Sequence, residues 1–180
     1  MDTMENQSTG LAQDKTPLKG FFTQELRDIY GAEKQLAKAL PKLREAATSP
    51  DLAMAFADHL NVTQNQIARL EQVFELLGEK PEVKKCDGMD GLLRESETII
   101  NDTETGSATR DVGLIVSAQK VEHYEIAAYG SLRQIAKTMG GLTEVTALLE
   151  QTLQEEKETD MLLSNLAETL INQDARQEIR

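Results

Sequence analysis

Four stretches of this chain repeat apolar side chains at steps of three and four residues. That is the helical period, and a stripe of this kind can be buried only against other elements. The first stripe is Phe22, Leu26, Ile29, Leu36, Leu40 and Leu43. The second is Leu52, Phe56, Leu60, Ile67, Leu70, Phe74 and Leu77. The third is Leu114, Ala118, Val121, Ala128, Leu132, Ile135 and Met139, and the fourth is Val145, Leu149, Leu153, Leu163, Ala167 and Leu170. No stretch shows the period of two that marks a strand, so an all-α fold is expected.

Boundary residues agree. Thr16-Pro17 and Ser49-Pro50 each pair an N-cap with a proline in the first turn. Gly78 reads as a stop, and Gly140-Gly141 separates the third and fourth stretches. Pro41 predicts a kink near the end of the first helix. The helices span roughly 17–47, 50–77, 111–139 and 143–172, or about 40–46 Å each at 1.5 Å per residue. Short links join the first to the second and the third to the fourth. A long link, 79–109, holds a short helical piece around Leu92–Ile100. A link of that length lets the chain cross the bundle, which predicts a ferritin-like four-helix domain over 17–175. The polar segment 1–16 reads as a disordered tail.

Composition narrows the partners. Acidic residues outnumber basic ones 31 to 19, for a formal charge of −12. Nucleic acid and anionic membrane surfaces both call for clustered Lys and Arg, so neither is expected as a partner. No apolar run reaches the 18 or more residues of a membrane span, and the polar N-terminus is not a secretory signal. Cys86 is the single cysteine, so it forms no intramolecular disulfide and no thiolate metal site alone. A cytoplasmic protein is the expectation.

Chemistry enters where the stripes are interrupted. At about 100° per residue, Phe22, Leu26 and Leu40 lie within about 20° of Glu33. Ala118 and Leu132 bracket Glu125 in the same way, and Val145, Leu149, Leu163 and Ala167 bracket Glu156. Asp160 follows one turn later, about 40° off that line. Each glutamate is also near the middle of its helix, so all three fall in one central layer. In the second helix that layer holds His59, Thr63 and Gln66. Buried carboxylates need a partner. Glu33, Glu125, Glu156 and Asp160 sum to −4, which two divalent cations balance, and carboxylate with imidazole suits iron, manganese or zinc.

Neighbouring residues have plainer roles. Glu122 lies about 60° from Glu125 and is expected at the solvated edge of the stripe or behind the ligands. Tyr30 and Tyr129 flank Glu33 and Glu125 at helical spacing, as candidate hydrogen-bond partners of those carboxylates, though tyrosines at a core edge need no function. His123 points to the surface. Cys86, in a glycine-containing loop, reads as a spare thiol.

At these residues the chain resembles the YciE/YciF family of bacterial ferritin-like proteins. The matching stretches are Glu25-Leu-Arg-Asp-Ile-Tyr-Gly-Ala-Glu33-Lys-Gln-Leu, His59-Leu with Gln66-Ile-Ala-Arg-Leu, Ala118-Gln-Lys-Val-Glu122-His-Tyr-Glu125-Ile-Ala-Ala-Tyr-Gly130 and Glu155-Glu-Lys-Glu-Thr-Asp160. The resemblance covers nearly all of Pro17 to Leu170. It implies a helical bundle, a homodimer, a link to bacterial stress responses and a metal site at Glu33, His59, Glu125, Glu156 and Asp160. Two departures stand out. The chain has no Glu-x-x-His motif, the usual di-iron signature. The family's His-Leu-Glu-Glu-Thr carries Asn61 and Val62 here in place of its two glutamates.

Two functions are therefore expected to compete. One is a protein holding at most two Fe or Mn ions and acting on O₂ or a peroxide as small oxidant. The other is a non-enzymatic structural or stress protein with a degenerate metal site. An iron-storage cage subunit ranks below both.

Overall fold

In a computed structural model, which describes residues 16–179, the chain is helical throughout its main elements, with no strand among the described residues. The expected tail therefore lies outside the described residues, apart from Thr16. The helices are α1 (Pro17–Ala46), α2 (Pro50–Leu77), α3 (Asp87–Asp102), α4 (Ala108–Met139) and α5 (Thr143–Leu166). A π-helical turn, Ala167–Ile171, continues α5 into a short α6 (Asn172–Gln177). No helix here is long and apolar enough to cross a membrane.

The predicted caps form. Thr16 accepts a hydrogen bond from the Lys19 amide and Ser49 accepts one from Leu52, each with proline opening the helix behind it. Gly78 ends α2 with φ of +67°, a left-handed conformation that glycine adopts without a Cβ penalty. Pro41 lies inside α1, near its C-terminal end, and the helix runs on to Ala46.

Cross-bundle contacts give the directions. Tyr30 meets Glu71, so α1 and α2 are antiparallel. Gln119 meets Ser164 and Arg133 meets Glu150, so α4 and α5 are antiparallel too. Asp111, at the start of α4, meets Thr48 and Ser49 beyond the end of α1. The chain must therefore travel the length of the bundle between α2 and α4. Residues 79–86 and α3 make that crossing, alongside α1 and in its direction, as the contacts Gln35–Cys86 and Lys42–Glu97 show. The link is thus a full helix rather than a loop with a short helical piece. Its start was missed because Cys86 is the N-cap, its Sγ accepting from the Met89 amide. Cys86 is also buried against Tyr124, so it is a packed cap and not a spare thiol.

Phe22, Leu26, Leu36 and Leu40 meet Phe56, Leu70 and Phe74, Leu114 and Leu132, and Leu149 and Leu163 in one buried core. One polar clamp fixes its end. The buried Asp111 carboxylate accepts from the Thr48 amide at 2.7 Å and the Ser49 amide at 2.6 Å. Asp111→Ala should therefore lower unfolding stability by about 2–3 kcal/mol, because it strands two amides and removes charge-assisted bonds. Urea unfolding with an unchanged m-value would confirm it, and a loss below 0.5 kcal/mol would not.

Candidate metal centre

The central layer of the bundle is polar and dry. Glu33 from α1, Glu122 and Glu125 from α4, and Glu156 from α5 are all 0% exposed, and His59 from α2 is nearly so. Ligand atoms of His59, Glu122, Glu125 and Glu156 lie within 4.8 Å of one another. Each helix reaches this layer because its apolar stripe is interrupted there. The flanking Ala118 and Val121 on α4 and Leu153 and Leu163 on α5 are buried as the stripes require.

Hydrogen bonds satisfy only part of the cluster. Tyr129 donates to Glu33 Oε1 at 2.5 Å, and Gln66 donates to Glu156 Oε1 at 2.6 Å. Left without hydrogen bonds are Glu33 Oε2, both oxygens of Glu122 and of Glu125, Glu156 Oε2, and His59 Nε2. Buried oxygens on this scale are costly unless protons or cations meet them.

Electrostatics says the same. Burial, then the charge of Glu156, pushes Glu33 and Glu122 well above the usual carboxylate range. Burial, then the charges of Glu33 and Glu156, does the same to Glu125. Glu156 rises to about 7, also through burial, and the adjoining Glu122 carboxyl and the Gln66 amide that donates to it hold it lower than its neighbours. Desolvation drops His59 to about 4, so its imidazole is neutral and offers a lone pair. A cation between these groups removes the repulsion and the desolvation cost together. The converging donors, three carboxylates and an imidazole, suit a first-row divalent metal ion by ligand type.

The predicted residues fall as follows. Glu33, His59, Glu125 and Glu156 all reach the buried layer. Asp160 does not join the His59–Glu122–Glu125–Glu156 group. It sits one turn nearer solvent on α5, facing Gln119 and His123 at 3.5 Å each. Glu33 is likewise outside that group of four, whereas Glu122, which the stripes did not single out, is inside it. The stripe argument put Glu122 at an edge because it treated α4 as having one buried face. The helix is packed by α1, α3 and α5, so its buried arc is wide and 60° off-centre is still inside. The three-residue spacing of Glu122 and Glu125, adjacent on a helix surface, was the available signal.

Other expectations are also revised. Tyr30 bonds Glu71 rather than Glu33, whereas Tyr129 does bond a site carboxylate. His123 is exposed, as expected. Arg69 approaches the layer although no stripe position carries a base. Its guanidinium is committed to Glu155, at 2.7 and 2.8 Å, and to Thr152, so the basic group nearest a central carboxylate is the neutral His59 imidazole, 3.5 Å from Glu122 Oε1.

Comparisons with known proteins agree with this architecture. The family described as Domain of unknown function (DUF892) matches residues 17–176. Protein YciF of Escherichia coli (strain K12) is 43% identical over 159 residues, covering 88% of this chain and 95% of that protein. The crystal structure of the E. coli stress protein YciF aligns with a TM-score of 0.82 at 44% identity, covering 88% of this chain and 99% of that one. The structure of YcfI from Rhodopseudomonas palustris aligns with a TM-score of 0.80 at 39% identity, covering 85% of this chain and 96% of that one.

Proposed function

Given that the chain belongs to the DUF892 family, we propose that it is a stress-response protein whose bundle binds divalent metal. Up to two iron or manganese ions would be held by Glu33, His59, Glu122, Glu125 and Glu156. One observation carries this reading: seven buried oxygen and nitrogen atoms from four helices converge without hydrogen bonds. The stress role is taken from the relative described as a stress protein.

Bound iron or manganese would supply one-electron chemistry toward O₂ or a peroxide. The chain's own contribution is positional. Tyr129 orients Glu33, and Gln66 orients Glu156. Arg69 pairs with Glu155 and so offsets part of the charge that Glu155 brings beside the layer. Burial keeps His59 neutral and ready to ligate.

A second reading has its own support. Helix α2 offers His59 as its one strong ligand, with neutral Thr63 and Gln66 in the same layer, and Val62 stands where the YciE/YciF pattern has glutamate. A single ion that braces the bundle, without turnover, fits that deficit. Metal analysis of tag-free protein incubated with Mn²⁺ or Fe²⁺, alongside peroxide and O₂ consumption, separates the readings. Two ions per chain with turnover support the first. One ion, no turnover and a second ion gained by Val62→Glu support the second. Protein that takes up no transition metal at micromolar concentration sinks both, and the Glu122→Gln/Glu125→Gln variant should lower affinity at least 100-fold.

A further inference from the structure

The buried layer is flanked by four helix seams; a basic side chain lies across two of them and the crossover strap over a third. On the α1–α2 seam Lys34 sits 4.7 Å over the Tyr30 ring and 3.5 Å from Glu71. On the α2–α5 seam Arg69 grips Glu155 and Thr152. On the α1–α4 seam the crossover strap lies over the helices, with Tyr124 bonded to Cys86 and Asp28, and Lys84 3.1 Å from Asp28. A cation meets like charge at the first two; at the third the strap covers the seam beside Tyr124, and an open pocket holding Glu25 and Asp28 lies next to it.

The α4–α5 seam differs beside the layer, although Arg133 bridges it to Glu150 about two turns away. Its groups beside the layer are Gln119, His123 and Asp160, and Asp160 pairs with no Lys or Arg among the described residues. These groups grade from solvent inward. The His123 side chain is 69% exposed, that of Asp160 is 21% exposed, and Glu122 and Glu156 are fully buried. The contacts to Asp160 are long, 3.5 Å from both Gln119 and His123, so displacing them costs little. Beyond it, Glu122 is flanked on α4 by His123 and Gln119; neither of its oxygens is hydrogen-bonded, and Oε1 has His59 Nδ1 at 3.5 Å. Asp160 also adds to the charge felt by Glu122, so the two are in electrostatic reach.

We propose that the α4–α5 seam is the gateway for divalent cations, with His123 and Asp160 as transit ligands between solvent and the Glu122–Glu156 pair. This rests on the metal-binding reading above. An imidazole and a carboxylate suit first-row divalent ions, and an anionic mouth on a chain of −12 draws cations in.

The test is rapid mixing of metal-free protein with Mn²⁺, followed through the loss of the free-ion paramagnetic signal. Asp160→Asn should load at least tenfold more slowly and His123→Ala severalfold more slowly, with the same final stoichiometry. Rates within twofold of the unmodified protein overturn the gateway and leave metal binding intact. A lower final stoichiometry for Asp160→Asn also overturns it, because Asp160 would then be a resident ligand. Absence of Mn²⁺ uptake by the unmodified protein overturns both proposals. If Asp160→Asn fails to fold by circular dichroism, His123→Ala, altered on an exposed ring, decides alone.

Discussion

Metal-free protein should melt at least about 10 °C lower at pH 8 than at pH 5. The cause is the central acid cluster. A carboxyl whose folded value is raised keeps its proton in the folded state after the unfolded chain has released it. Its contribution is therefore favourable at low pH and is lost as pH climbs past about 4.5. For Glu156 the interval from 4.5 to about 7 is worth about 3 kcal/mol. His59 acts in the opposite direction. Its value falls from 6.5 to about 4, so it favours folding above that window and resists it below. These two roughly cancel, and Glu33, Glu122 and Glu125, all raised well above their ordinary value, set the net slope. Saturating Mn²⁺ should reverse the order, because ligation needs the deprotonated carboxylates and stabilises the folded state by mass action. General charge repulsion also grows with pH, so the control is Glu122→Gln/Glu125→Gln, which should flatten the metal-free slope. Metal-free melting that rises steadily from pH 5 to pH 8 would contradict the account.

Gly31→Ala should cost about 2–4 kcal/mol, although alanine is the better helix former by about 1 kcal/mol. Gly31 lies inside α1 where the crossover strap passes over it, and a Cβ there would collide with the Lys84 carbonyl oxygen. Backbone on both sides of the contact leaves no flexible side chain to yield. The strap must lift, which loosens the buried Cys86 cap and its hydrogen bonds with Gln35. Gly20→Ala and Gly130→Ala are the matched comparison. Both glycines are in helices with nothing within 4 Å of the added methyl, so each substitution should stabilise by about 0.5–1 kcal/mol. Equal effects at the three positions in chemical denaturation would show that the strap does not bear on α1.

The helical fold, its main capped ends and four of the buried polar residues follow from local rules that a linear sequence carries. Apolar period, Thr-Pro and Ser-Pro starts and glycine stops each act within a few residues. An acid centred in a narrow stripe, as Glu33 and Glu156 are, must go where the stripe goes. Glu122, Asp160 and Cys86 obey a different rule. Whether Glu122 is buried depends on how many helices surround α4, which no spacing along α4 records. Whether Asp160 joins the cluster or waits at its margin depends on the rotation of α5 against α4, a difference of only about 40°. Cys86 becomes a buried cap only because the crossover brings it against Tyr124 from another helix. Period fixes which face of a helix is dry when one neighbour covers it; the number and placement of neighbours, set by long-range packing, decide everything at the margins of that face.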